Sequence, residues 1–135
     1  EMARLSAEAA EESDTPKPLL IAVTVLTSLD QGDLMDINVI KSPMDQAVDL
    51  ARLAKASGLD GVVASPREIT AIRAATGDDF LIVTPGVRPS WASAGDQKRT
   101  MTPEEAIAAG ADYIVVGRPV TASPNPQLAL ELLFL

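Results

Sequence analysis

A helix-start signal that recurs after short apolar runs limits the fold more than any other feature of this chain. Ser42-Pro43-Met44-Asp45, Ser65-Pro66-Arg67-Glu68, Thr102-Pro103-Glu104-Glu105 and Ser123-Pro124 each place a Ser or Thr just before a Pro. The hydroxyl caps free backbone N–H groups, and Pro suits the first helical position because it has no N–H to leave unpaired. Glu68 and Glu105 complete capping boxes with Ser65 and Thr102. The runs that alternate with these signals are residues 19–26, 59–64, 80–84 and 113–116, all rich in Val, Ile and Leu. The first reads Leu-Leu-Ile-Ala-Val-Thr-Val-Leu without alternation, which predicts a parallel strand buried on both faces.

A helix over residues 2–12 precedes the first strand and ends at the prolines of 14–18. It has no N-cap and follows Glu1 rather than an initiator Met. Residues 1–14 therefore read as the remnant of a preceding helix in a chain that was trimmed or is part of something longer. Residues 29–41 read as an acidic loop with a short helix near 31–36, and Gly58, Gly77 and Gly110 read as helix stops. The order is one helix and then four βα units, with strands roughly 30–40 residues apart. Right-handed crossovers between such units give a parallel sheet. A small open α/β sandwich and half of an eight-stranded barrel both satisfy this pattern, and a whole barrel needs about 250 residues. The 135 residues are read as a single, partial domain.

Composition narrows function mainly by exclusion. The formal net charge of −8 argues against non-specific nucleic-acid binding, so an anion must be held by a local cluster. Without Cys there are no disulfides or thiolate metal sites, and without His the commonest metal ligand and neutral-pH base are gone. No apolar run approaches the ~20 residues of a membrane span. The acidic, Ala-rich N-terminal stretch is unlike a signal or transit peptide. A soluble, cytoplasmic protein is expected.

Ligands of parallel α/β folds sit at the C-terminal ends of the strands. The residues expected there are Thr27, Ser28, Ser65, those of 85–88, and Gly117 with Arg118. Two runs end alike, in Thr-Pro-Gly-Val-Arg-Pro and in Val-Gly-Arg-Pro. Taken singly, Gly86 and Gly117 are equally well turn glycines, and Arg88 and Arg118 equally well surface ion-pair residues. Side by side they offer backbone N–H groups and two guanidinium forks to a phosphate or carboxylate. The long irregular stretch 85–101 carries Trp91, which either covers a ligand or anchors the loop, and Gln97 in a polar run. Of Lys17, Lys41, Lys55 and Lys98, none falls at a strand's C-terminal end, and only Lys98 lies near the expected site. The residues describe a binding half-site with no catalytic residue and no metal ligands.

Five blocks in order resemble the C-terminal half of bacterial orotidine 5'-phosphate decarboxylases. They are Leu-Leu-Ile-Ala-Val-Thr-Val-Leu-Thr-Ser (19–28), Gly-Leu-Asp-Gly-Val-Val (58–63), Val-Thr-Pro-Gly-Val-Arg-Pro (83–89), Ala-Gly-Asp-Gln-Lys-Arg-Thr-Met-Thr-Pro (94–103) and Val-Gly-Arg-Pro-Val-Thr (116–121). The resemblance implies the second half of a TIM (β/α)8 barrel. It also implies a homodimer that converts orotidine 5'-monophosphate to UMP and CO2 in pyrimidine synthesis with no cofactor. By motif it makes Thr27 a contact near the pyrimidine and Arg88 and Arg118 phosphate-side arginines. It makes Gly117 a backbone donor to the phosphate and Gln97 the loop residue reaching over the nucleotide. The family's catalytic Asp-x-Lys-x-x-Asp network is absent: Asp96-Gln97-Lys98 begins like it, but position 101 is Met. The resemblance thus implies the phosphate-gripping half of the enzyme, inactive alone and partnered by an N-terminal half-barrel. A phosphate-binding α/β module and a self-associating half-barrel are the alternatives.

Overall fold

Four short parallel strands lie side by side in chain order, β1-β2-β3-β4. The computed structural model describes residues 1–12, 16–92 and 101–133. Helix α1 (Met2–Glu11) precedes β1 (Ile21–Val23), and α2 (Gln31–Asp36) and α3 (Pro43–Ala56) connect it to β2 (Gly61–Val63). A 3-10 turn (Pro66–Glu68) and α4 (Ile69–Thr76) lead to β3 (Leu81–Pro85), and α5 (Pro103–Ala108) to β4 (Tyr113–Val115). Helices α6 (Arg118–Thr121) and α7 (Pro126–Glu131) follow. Every strand pair is parallel, so all four C-terminal ends share one edge.

The starts follow local chemistry. The Ser42 hydroxyl accepts the Asp45 N–H with Pro43 in the first turn, and Thr102 accepts the Glu105 N–H while Glu105 accepts the Thr102 N–H. Ser65 and Glu68 form the expected capping box, although it opens a 3-10 turn that runs on into α4. Asp30 caps α2 through the N–H groups of Gly32 and Asp33. The last helix departs from expectation. Its cap is Asn125, whose side chain accepts the Leu128 N–H, while the Ser123 hydroxyl is spent on the Asn125 backbone. The β2-to-β3 crossover is also shorter than expected, with Leu81 only 20 residues beyond Gly61. A 3-10 turn and an eight-residue helix suffice to return the chain.

Alternate strand residues face opposite ways, and only one face is covered. Val62, Ile82 and Thr84 pack under the helices with Ala47, Ala51, Ile69, Ile72 and Ala106, all fully buried. The opposite face carries Val23, Val63, Val83 and Tyr113 in one register row. At its margins it is open: Val23 is 58% exposed, Tyr113 56% and Val115 49%. The expectation that the first strand is buried on both faces therefore fails. Its apolar character suits the inside of a barrel, and the described residues supply helices to one side only. Gly61 sits where β2 and β3 crowd together, and a Cβ there would lie 2.4 Å from the Leu81 carbonyl oxygen.

Two Asp residues lock the strand starts. The Asp60 carboxylate accepts the Leu20 N–H at 2.7 Å, while the Asp60 N–H donates to the Leu20 carbonyl at 2.9 Å. Asp112 repeats this with Ile82, accepting its N–H at 2.8 Å and donating to its carbonyl at 3.0 Å. The same Asp112 oxygen accepts from Arg73 at 2.7 Å. Arg73 also donates to the carbonyls of Gly77, Asp78, Phe80 and Gly110. Its side chain is only 17% exposed, and the Phe80 and Gly110 carbonyls it holds are partly buried, with little water to replace it. Arg73→Met is expected to lower stability by about 2–4 kcal/mol in urea unfolding. Gly61→Ala is expected to destabilise by about 1–3 kcal/mol, because backbone must move to admit the methyl group; a melting curve matching wild type would contradict the close approach.

Candidate functional site

The register of the last two strands sets the geometry of the site. Pro85 pairs with Val115. Gly86 and Arg88 follow Pro85, and Gly117 and Arg118 follow Val115, so the two Gly/Arg segments leave adjacent strands at one level. Gly86 has φ +77°, a left-handed turn that sends the chain off the strand. The Arg88 N–H donates to the Met101 carbonyl at 2.8 Å, tying the two stems of the long loop together. Arg88 is half-buried, and its Nη1 donates to the Val87 carbonyl. Pro89 to Ala92 forms a turn closed by the Ala92 N–H on the Pro89 carbonyl, with Trp91 exposed on it.

Gly117 caps α6, its carbonyl accepting from Val120 and Thr121 at 2.9 and 3.0 Å. A Cβ built on Gly117 meets nothing within 4 Å, so the space over this backbone is open. Arg118 occupies the first position of α6 and is exposed. Thr27 follows β1 and is 7% exposed, near the end of β1 held to β2 by the Thr24 hydroxyl on the Val63 carbonyl. Ser65 at the β2 end is a buried capping residue. Gln97 and Lys98 lie outside the described residues. Sequence reasoning missed α6. The signal was Pro119 two residues after Gly117, with Pro in the first helical turn.

Near the far stem of the loop, the Glu104 carboxyl is held below the usual carboxylate range. Its own backbone N–H is the main cause and the Thr102 hydroxyl the second. Among the described residues, no group of three or more His, Cys, Asp or Glu could hold a metal ion, and no helix is long and apolar enough to cross a membrane. An apolar cavity of ≈ 670 Å³ lies along α5 and β4, lined by Ile107, Tyr113, Ile114 and Leu133, and does not include Arg88 or Arg118. Chemically, the C-terminal edge offers two arginines and an unobstructed Gly backbone, a set suited to an oxyanion.

Fold and edge together define the class: four parallel βα units, the architecture of half a (β/α)8 barrel, with Gly/Arg segments at the C-terminal ends of its last two strands. The model of the orotidine 5'-phosphate decarboxylase / HUMPS family matches residues 1–133. The chain is 57% identical over 123 residues to the orotidine 5'-phosphate decarboxylase of Trichlorobacter lovleyi, covering 91% of this chain and 51% of that one. It is 54% identical over 114 residues to the same-named protein of Haemophilus ducreyi, covering 84% and 50%. Its structure superposes on the Lactobacillus acidophilus orotidine 5'-phosphate decarboxylase with a TM-score of 0.78 at 36% identity, covering 98% of this chain and 56% of that one. An uncharacterised conserved protein from Geobacillus kaustophilus gives 0.75 at 34%, with the same coverages. This chain belongs to the orotidine 5'-phosphate decarboxylase / HUMPS family. It spans about half the length of the curated relatives it matches.

Gly117→Ala is expected to leave the melting temperature within about 1 °C of wild type. Gly86→Ala is expected to destabilise by roughly 1–2 kcal/mol, because an L residue resists its left-handed backbone. In an NMR pH titration, Glu104 is expected to ionise below an ordinary Glu and to move upward in Thr102→Ala. Its stabilising contribution is full above the ordinary Glu value and fades as the pH falls through the lowered one. An unchanged Glu104 midpoint in that variant would rule out the hydroxyl as a cause.

Proposed function

We propose that this chain is the phosphate- and nucleotide-binding half of an orotidine 5'-monophosphate decarboxylase, and that it does not decarboxylate alone. The observation that carries the reading is the Pro85–Val115 pairing, which brings the Arg88 and Arg118 segments together in a member of this family. In this reading Arg88, Arg118 and the Gly117 N–H grip the 5'-phosphate. Gln97 reaches over the nucleotide, and Thr27 lies by the pyrimidine. Binding the remote phosphate steadies the loop between residues 88 and 101, and its energy is expressed at the reacting base in the transition state.

The bond-breaking groups come from elsewhere. The C–C bond to the carboxylate breaks, CO2 leaves, and a Lys outside these 135 residues protonates the carbanion to give UMP. The sequence has no Asp-x-Lys-x-x-Asp motif to do this itself. The open row Val23, Val63, Val83 and Tyr113 supports the same division, because an apolar inner face needs a complementary half-barrel against it. The partial domain, the homodimer and the cytoplasmic location belong to this proposal.

The test is complementation. The purified chain is mixed or co-expressed with the N-terminal half of the Trichlorobacter lovleyi relative, and loss of orotidine 5'-monophosphate is followed by absorbance. Turnover is expected only with both halves present, and Arg118→Ala is expected to lower kcat/KM by about 100-fold or more. Turnover by the 135-residue chain alone would refute the division of the site. Binding of UMP by calorimetry, without turnover in any combination, would leave a phosphate-binding module instead.

A further inference from the structure

Arg67 stands apart from the other basic residues whose side chains the structure describes. Arg4 pairs with Glu1 and Glu8, and Lys17 with Glu11 and Asp60. Lys41 and Arg52 pair with Asp49, Lys55 donates to the Thr76 carbonyl, and Arg73 is spent on Asp112 and four carbonyls. Arg67 is exposed and has no hydrogen bond or ion pair among the described residues. It follows the C-terminal end of β2, beside β3, the strand that Arg88 follows. Its neighbour Glu68 forms no ion pair with it: that carboxylate is buried and accepts the Ser65 N–H. In a chain of net charge −8, a cation with no partner among the described residues, at the edge proposed to bind phosphate, locally offsets a field that repels anions.

We infer that Arg67 steers a dianionic phosphate ligand toward the Arg88 and Arg118 segments and raises its rate of capture without touching it. The inference rests on the phosphate-binding reading of that edge. Adjacent strands lie about 4.8 Å apart, so a phosphate held between the β3 and β4 ends sits roughly 5–10 Å from the β2 end. Across that distance one charge acts strongly at low ionic strength, where the Debye length is about 30 Å, and weakly in salt. Steering therefore alters association and leaves dissociation alone, because the held complex contains no Arg67 contact.

The test uses the 135-residue chain with UMP as probe and ³¹P NMR line shapes to give both rate constants. Arg67→Gln is expected to slow association about 2–3-fold at roughly 10 mM ionic strength and by less than about 1.3-fold near 300 mM. Dissociation is expected to stay unchanged, and Arg67→Lys to match wild type, as a point charge suffices. Equal association rates for wild type and Arg67→Gln at low salt would overturn the inference while leaving the phosphate site intact. Faster dissociation in Arg67→Gln, or failure of Arg67→Lys to restore the rate, would also overturn it, since either means a direct contact. If wild type does not broaden the UMP resonance at millimolar ligand, the phosphate-binding reading fails and this inference falls with it.

Discussion

The Asp112 carboxylate holding the Ile82 N–H is the contact on which the rest of this molecule most depends. It sets where β4 begins against β3, and that start determines that Pro85 meets Val115 at the other end. A slip of one residue would turn every β4 side chain to the opposite face and part the two Gly/Arg segments. The carboxylate is itself held by Arg73, which also gathers the carbonyls at the end of α4 and before β4. One guanidinium thus ties a helix end, two strand starts and a carboxylate at the edge opposite the candidate site. Asp60 performs the same task for β1 and β2, so the sheet is pinned at its N-terminal edge in two places.

The C-terminal edge, where the candidate site lies, carries no such pin from Asp60 or Asp112. Its backbone is turned by Gly86 and left uncovered at Gly117, and the Arg88 N–H on the Met101 carbonyl joins its loop stems. Apolar burial under α3, α4 and α5 supports this edge from one side. The other side of the sheet is apolar as well, which is costly in water for a molecule that keeps it bare. This apolar row, open at Val23 and Tyr113, explains why the strands look fully buried in sequence.

The amino-acid order alone was sufficient for the local elements. The hydroxyl-Pro-acid signals located α3, the turn before α4, and α5, and the acidic stretch near 31–36 formed α2 as expected. These succeed because a cap is satisfied within four residues and needs no distant partner. Local reading failed where two caps compete. Ser123-Pro124 and Asn125-Pro126 are both plausible starts, and the structure selects Asn125, whose helix buries Ala129. It failed again at Arg118-Pro119, where a strand end and a helical turn share residues. The eight-residue apolar run at 19–26 keeps only Ile21–Val23 as strand, because a ladder extends only where a neighbour supplies partners.

For the candidate site, the sequence by itself determined the ingredients: paired Gly and Arg at two run ends, no His, no Cys and no Asp-x-Lys-x-x-Asp motif. It also pointed to the family, to which the chain belongs by a family model matching residues 1–133 and by 57% identity over 123 residues to a relative. Only the tertiary structure decided that the two run ends lie side by side. Adjacency of β3 and β4 and their register are non-local, set by hydrogen bonds between residues 30 apart such as Ile82 and Asp112. It alone also singled out Arg67. Helical spacing accounts for Arg4 with Glu8 and Arg52 with Asp49, but Arg73 with Asp112, and the lack of a described partner at Arg67, depend on which acids the fold brings near.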